Sequence, residues 1–384
     1  MIRTDSLAGR TALAVAHCAG MVDLVALPVW VGTLVAHYRF DPQQAGALVT
    51  LFLAGAVSAS MVFAPRFHRL RGRLVAPLGF AASAAAFFGA AATGEFAALA
   101  VLHALGGFSA GTGLSFTHGT IGRSANPHRL FAIVGTALGV FAVVFLGAAP
   151  QIVAAAGGPA LFVVFGGVMV VAALVTALAF PVPDAESVES QSFRASGQRL
   201  PPAVWYGIAA VSCMALTQAM VFSFVERAGA DRGFEADRIT AVLIAVGLVN
   251  LFPAAIAALL QKRLDGRLVV LAGPAVQAVL ALLIATTSGF APYALATAVF
   301  VVPMLFTHTF AFGLLAQLDV TGRATAATPA MLMVGSAIGP VLGGTLVKAF
   351  GYGGLGAAAL LIDLVAIVLF SRMVPARRPV EASA

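Results

Sequence analysis

Apolar runs of about twenty residues, each closed by a short polar break, follow one another along almost the whole chain. A hydrocarbon layer about 30 Å thick needs about 20 apolar residues per helix, so each run predicts a membrane-spanning helix. The breaks give twelve predicted spans: 11–36, 43–63, 75–93, 96–120, 130–153, 159–180, 204–228, 237–260, 268–288, 292–317, 326–349 and 354–373. The runs are continuous and rich in Ala and Leu, without the alternating ten-residue pattern of a spanning β-barrel. The expected fold class is therefore an all-α membrane protein.

Composition strengthens that expectation. Hydrophobic residues make up 60% of the 384 and charged residues only 10%, with a mean hydropathy of +0.99. Arg3 and Arg10 precede the first apolar run in the manner of a signal peptide, but the run continues to Val35 without a small-residue cleavage site and reads as span 1. The formal charge of +7 follows topology. If the N-terminus is cytoplasmic, only Arg39, Arg227, Arg232, Arg238 and Lys348 of the 22 basic residues fall outside cytoplasmic segments. Arg66, Arg69, Arg71, Arg73, Lys262, Arg263, Arg267, Arg372, Arg377 and Arg378 fall inside, so the positive-inside rule places both termini in the cytoplasm. The basic balance then answers to lipid head groups, and no nucleic-acid partner is expected. Cys18 and Cys213 both lie in apolar runs, which leaves neither a disulfide framework nor a CxxC metal motif. No Walker A loop, GxGxxG turn or HExxH helix is present, so the chain reads as no enzyme and needs no cofactor.

The heptapeptide RLRGRLV at Arg69–Val75 returns as RLDGRLV at Arg263–Val269, and VGTALGV at Val134–Val140 returns as VGSAIGP at Val334–Pro340. Each pair falls at equivalent places of two six-span halves. The expected organisation is a first bundle over 1–180, a cytoplasmic linker over 181–203 and a second bundle with a short tail over 204–384, as parallel repeats.

Twelve spans in two such halves, with a basic loop after span 2 and span 8, resemble the major facilitator superfamily over essentially the whole chain. Against that family's loop after its second helix, G-x-L-x-D-R-x-G-R-R, the chain offers PRFHRLRGRL, with Pro65 at the first Gly and Arg69 at the Asp. GPVLGG at Gly339–Gly344 looks like a Gly-Pro element of family antiporters, displaced here to span 11. The resemblance implies a secondary transporter that rocks its halves around a midplane site lined by spans 1, 4, 7 and 10.

On those spans few polar residues compete. Asp23, in the middle of span 1, carries a charge that costs several kcal/mol in lipid unless it meets water, a partner or a proton. His103 on span 4 and His308 on span 10 titrate in the useful range, and all three are candidates both for proton coupling and for substrate binding. Gln218 on span 7 joins them as a substrate-binding group. A second reading takes His17 with Met21 and Met304 with His308, each pair four residues apart on one helix face, as soft ligands for copper. Glu226 and Arg227 read as a solvated rim or an outer gate. GGFSAGTG at Gly106–Gly113 and the GPVLGG run read as surfaces for close helix packing. Asp363, midway along span 12, has no evident partner in the sequence.

The expected function is proton-coupled transport of a small organic solute by a monomer in the inner (plasma) membrane, with drug or metabolite efflux and copper transport as alternatives. No Arg or Lys occupies the middle of spans 1, 4, 7 or 10, which favours neutral or cationic substrates.

Overall fold

The computed structural model describes residues 2–182, 200–260, 263–318 and 328–373. Most of the expected linker, Lys262, Arg377 and Arg378 lie outside the described residues. Within them the regular structure is α-helical, apart from a 3-10 helix at Ala64–Arg69 and one isolated β-bridge between Arg3 and Val182, with short turns between helices.

The helices are α1 (Leu7–Gly20), α2 (Val22–Ala36), α3 (Pro42–Phe63), α4 (Gly72–Ala91), α5 (Phe96–Gly122), α6 (Pro127–Ala156), α7 (Pro159–Ala179) and α8 (Pro202–Phe222). They continue with α9 (Val225–Asp231), α10 (Ala236–Val249), α11 (Pro253–Leu260), α12 (Gly266–Thr286), α13 (Phe290–Val299), α14 (Val302–Leu318) and α15 (Thr328–Met373). Ten described segments are long and apolar enough to cross a membrane. Predicted span 8 is divided into α10 and α11. Predicted spans 11 and 12 run together as α15, which reverses at Gly351 (φ 66°, ψ −169°), a backbone that an L side chain would strain. Leu78, Leu178, Leu259 and Leu361 stand outward as a lipid-facing surface would require.

The repeated heptapeptides have a local cause. Gly72 and Gly266 are the first residues of α4 and α12, so each copy turns the chain out of a loop and into a helix. In the second copy Asp265 caps its helix, accepting from the Arg267 amide at 2.9 Å. Ser6 and Asn126 cap α1 and α6 in the same way, accepting from the amides of Gly9 and Arg129.

Several spans are not continuous. Span 1 breaks at Met21 (φ −109°, ψ 19°), and Pro28 inside α2 removes a further backbone donor. Span 7 breaks between Phe222 and Val225, where the Tyr293 hydroxyl donates to the Val225 carbonyl at 2.7 Å. Span 10 breaks between α13 and α14. In lipid such freed backbone groups persist only where protein or a water-lined cavity receives them.

We call the face that carries the N-terminus the near face and the opposite one the far face. A single apolar cluster joins helices from before and after residue 200 toward the far face, around Trp30, Phe52, Phe87, Phe165, Met220, Phe224, Leu243 and Phe300. Toward the near face the core divides. One cluster there holds Leu13, Ala76, Phe116, Ile121, Leu130, Val134 and Phe180, and a separate one holds Val204, Val211, Met304, Phe310, Leu315, Phe370 and Met373.

Small residues make the far-face seam. A β-carbon at Gly46 would run into the Pro340 carbonyl oxygen, and one at Gly344 into that of Pro42, so α3 and α15 touch backbone to backbone. The Val341 amide donates to Thr50 Oγ1 at 3.2 Å across this contact. Lys348 Nζ reaches Asp41 Oδ2 at 2.9 Å and Gln43 Oε1 at 3.4 Å. Gly139, Gly147 and Gly247 admit Leu251, Ile244 and Val143 between α6 and the helices that follow Glu235.

Candidate functional site

Asp23 lies in the first turn of α2, immediately after the break at Met21. The first amides of a helix have no partner within it, and the dipole there favours negative charge. The Asp23 carboxyl group stands beside the amides of Asp23 itself and of Leu24, the second of which also donates to the Met21 carbonyl at 3.2 Å. Its side chain is buried, with 9% of the residue exposed. A carboxyl held by half-helix amides at mid-depth can gain or lose a proton while its backbone partners stay in place, which an ordinary intact helix would not allow.

The break in span 7 is arranged alike. Glu226 lies in the first turn of α9, as Asp23 does in α2. It extends toward α2, where its Oε2 occupies the space that a β-carbon would take at Gly32 and makes no hydrogen bond. Beside it Arg227 pairs with Asp231, and the Tyr352 hydroxyl donates to Asp231 Oδ2 at 2.7 Å. This contact joins α9 to α2. Spacing alone gave no sign that Asp23 and Glu226 occupy matching positions, because Gly20 stands at the first break but no Gly or Pro stands at the second.

His103 is fully engaged. Trp30 Nε1 donates to its Nε2 at 3.2 Å, and its Nδ1 lies 2.7 Å from the Leu99 carbonyl oxygen. Indole only donates and a carbonyl only accepts, which fixes the neutral tautomer with the proton on Nδ1. A proton on Nε2 would break the bond to Trp30 inside an aromatic shell of Phe87, Phe162 and Phe165. This geometry speaks against proton carrying or substrate binding at His103 and for a tie between α2 and α5.

His308 Nδ1 meets the Met304 carbonyl oxygen at 2.9 Å, one turn earlier in α14, with Phe312 edge-on to its ring at 5.0 Å. Its Nε2 has no such commitment. Gln218 Oε1 accepts from Gln277 Nε2 at 3.4 Å, and Gln218 Nε2 is buried without a partner.

Of the soft-metal candidates, the two histidines have other partners. His17 Nδ1 is hydrogen-bonded to His118 Nε2 at 2.9 Å, and His308 turns to its own helix backbone. Among the described residues no three His, Cys, Asp or Glu side chains form a group that could hold a metal ion. The His17–His118 pair, joining α1 to α5 beside Phe131, was missed in the sequence because its partners are 101 residues apart.

The family model described as Major Facilitator Superfamily matches residues 12–320. The chain belongs to that superfamily, and is a transporter. No curated protein matches it in sequence. Among solved structures it is similar to the nucleoside transporter NupG, with a TM-score of 0.71 at 14% identity, covering 97% of this chain and 99% of that one. A D-xylose–proton symporter gives a TM-score of 0.68 at 13% identity, with 94% and 96% covered. A bacterial homolog of the human lysosomal transporter Spinster, in an inward-facing and occupied conformation, gives 0.70 at 14% identity, with 95% of each chain covered. At these identities the likeness is one of fold.

Proposed function

We propose that this transporter moves a small organic solute across the inner (plasma) membrane by alternating access, coupled to protons through Asp23. The observation that carries the reading is the carboxyl of Asp23 at the N-terminus of a broken helix, buried at mid-depth, where a group is costly to retain without a task. His308, with a free Nε2, and Gln218, with an unspent amide, are the further groups proposed to meet the substrate.

The proposed moving parts are the bundles 1–180 and 204–384. In support, the breaks of spans 1 and 7 fall at Met21 and Ser223, a separation of 202 that accompanies the 194 and 200 of the two sequence echoes. Both termini are proposed to be cytoplasmic, from the distribution of Lys and Arg. The near face is then cytoplasmic, and the continuous far-face core beside a divided near-face core is the packing of an inward-facing state. The protein is proposed to act as a monomer.

The test begins with metabolite profiling of a transport-deficient host that expresses the protein, to name the solute. Accumulation of that solute should then collapse when a protonophore abolishes the pH gradient. Accumulation that survives the protonophore would remove proton coupling and leave only the superfamily.

A further inference from the structure

Asp363 sits twelve residues past the Gly351 turn, about 18 Å along α15 and near mid-depth. It is 0% exposed, and neither carboxyl oxygen has a hydrogen-bond partner. From α8 the Thr217 hydroxyl stands beside it without a hydrogen bond between them, itself unpartnered and 0% exposed. Cys213, one turn earlier, faces the same carboxyl.

The adjoining face of α8 carries a second orphan. Gln277 of α12 is 0% exposed and directs Nε2 to the Met214 carbonyl at 3.1 Å and to Gln218 Oε1. Both amide hydrogens are thereby spent, and its Oε1 is left with no partner. Residues 213 to 218 of α8 therefore border, on adjoining faces, a carboxyl, a hydroxyl and an amide oxygen from three helices, each without a hydrogen-bond partner.

Among the described residues no fixed positive charge answers them. Arg372 lies nine residues along α15, Lys348 fifteen residues back beyond the turn, and Arg267 ten residues from Gln277 on α12, each more than about 13 Å away along its helix. Cys213 brings no cation. A dry carboxyl without a counter-ion must take one positive charge from solution, and hard oxygens from three helices suit a proton or a sodium ion.

We propose that Asp363, Thr217 and Gln277 form a second ion site in the later helices, which binds and releases one monovalent cation, H⁺ or Na⁺. It is separate from Asp23, which lies on the first span.

Purified full-length protein in nanodiscs tests the site in two arms. Thermal unfolding is followed at constant ionic strength with Na⁺ against K⁺ and N-methyl-glucamine, and the infrared band of neutral carboxylic acid is followed from pH 5 to 9. Either a Na⁺-specific rise in Tm or a carboxylic-acid band that titrates within that range is expected. Asp363→Asn should remove the Na⁺ response, or the component of the band that belongs to Asp363, whereas Asp23→Asn should leave that response or component in place. Thr217→Val keeps the volume and removes one oxygen, so it should weaken a Na⁺ response at least tenfold in apparent affinity, or displace the titration. It also preserves the test if the Asn variant fails to fold. The site is overturned if Na⁺ has no effect and the band assigned to Asp363 is constant across the whole range, since the carboxyl would then be a fixed structural acid. A response retained in full by both Asp363→Asn and Thr217→Val would overturn it equally.

Discussion

Lys348 Nζ and Asp41 Oδ2 meet at 2.9 Å across the far-face seam, from positions 307 residues apart. The pair joins the turn after α2 to α15 and clasps the first half of the spans to the second. Partial burial pushes the Asp41 carboxyl up, but the hydrogen bond from Lys348 and the amides of Gln44 and Gln43 outweigh it and hold the group below the usual carboxylate range. A carboxyl so depressed stabilises the closed seam above its ordinary value and loses that contribution as pH falls through the depressed one. Both side chains are substantially exposed, so the pair is worth only about 0.2–1 kcal/mol. Distances between spin labels on either side of the seam should lengthen on acidification in the wild type. Lys348→Met should lengthen them slightly at neutral pH and flatten the dependence, and an unchanged pH response in that variant would deny the clasp.

The glycine contacts beneath the clasp should matter more. Val at Gly344 or Gly46 drives side-chain atoms into the Pro42 or Pro340 carbonyl. Overpacking of about 1–3 kcal/mol shifts a two-state equilibrium by about 5–150-fold. Gly344→Val should therefore hold the far face open, with transport lost, yield in the membrane retained and far-face cysteines newly reactive. Protection of those cysteines at the wild-type level would show that the seam tolerates the bulk.

Gly32 and Glu226 make the same kind of contact with a titratable partner. Gly32→Val should expel the Glu226 carboxyl and open the far face, whereas Glu226→Gln, which keeps the shape but cannot ionise, should leave it closed. Equal far-face reactivity in both variants would reduce this contact to surface packing.

His103 should behave as structure. Replacing Trp30 by Phe leaves His103 Nε2 without its donor, at about 1–3 kcal/mol. Trp30→Phe and His103→Ala should both lower the Tm, and His103→Ala should leave the pH profile of transport unmoved. A changed profile with an unchanged Tm would return His103 to the proton pathway.

The spans were legible because lipid demands long apolar runs, and their ends fall within a few residues of the helices formed. The breaks at Met21, Ser223 and Phe300 were not, since Gly20 and Pro303 beside the first and third are tolerated within spanning helices and no Gly or Pro marks the second. Asp23 was legible through the cost of charge in lipid, but its seat on half-helix amides depends on one of those breaks. His103 looked like a relay because its two partners, Trp30 and the Leu99 carbonyl, carry no pattern in the sequence. Asp265, given no role by the sequence pattern, is a helix cap. Gln277 went unremarked because span 9 is not among those the family's cavity uses.

Proton coupling at Asp23 is tested most directly by solute accumulation in proteoliposomes under an imposed pH gradient, wild type beside Asp23→Asn, with solute exchange measured in the same vesicles. Asn keeps the shape and accepts from the same α2 amides but cannot titrate. The account predicts that the Asn variant exchanges solute at a rate near the wild type and accumulates none against its gradient. Accumulation by the Asn variant at the wild-type rate would contradict it.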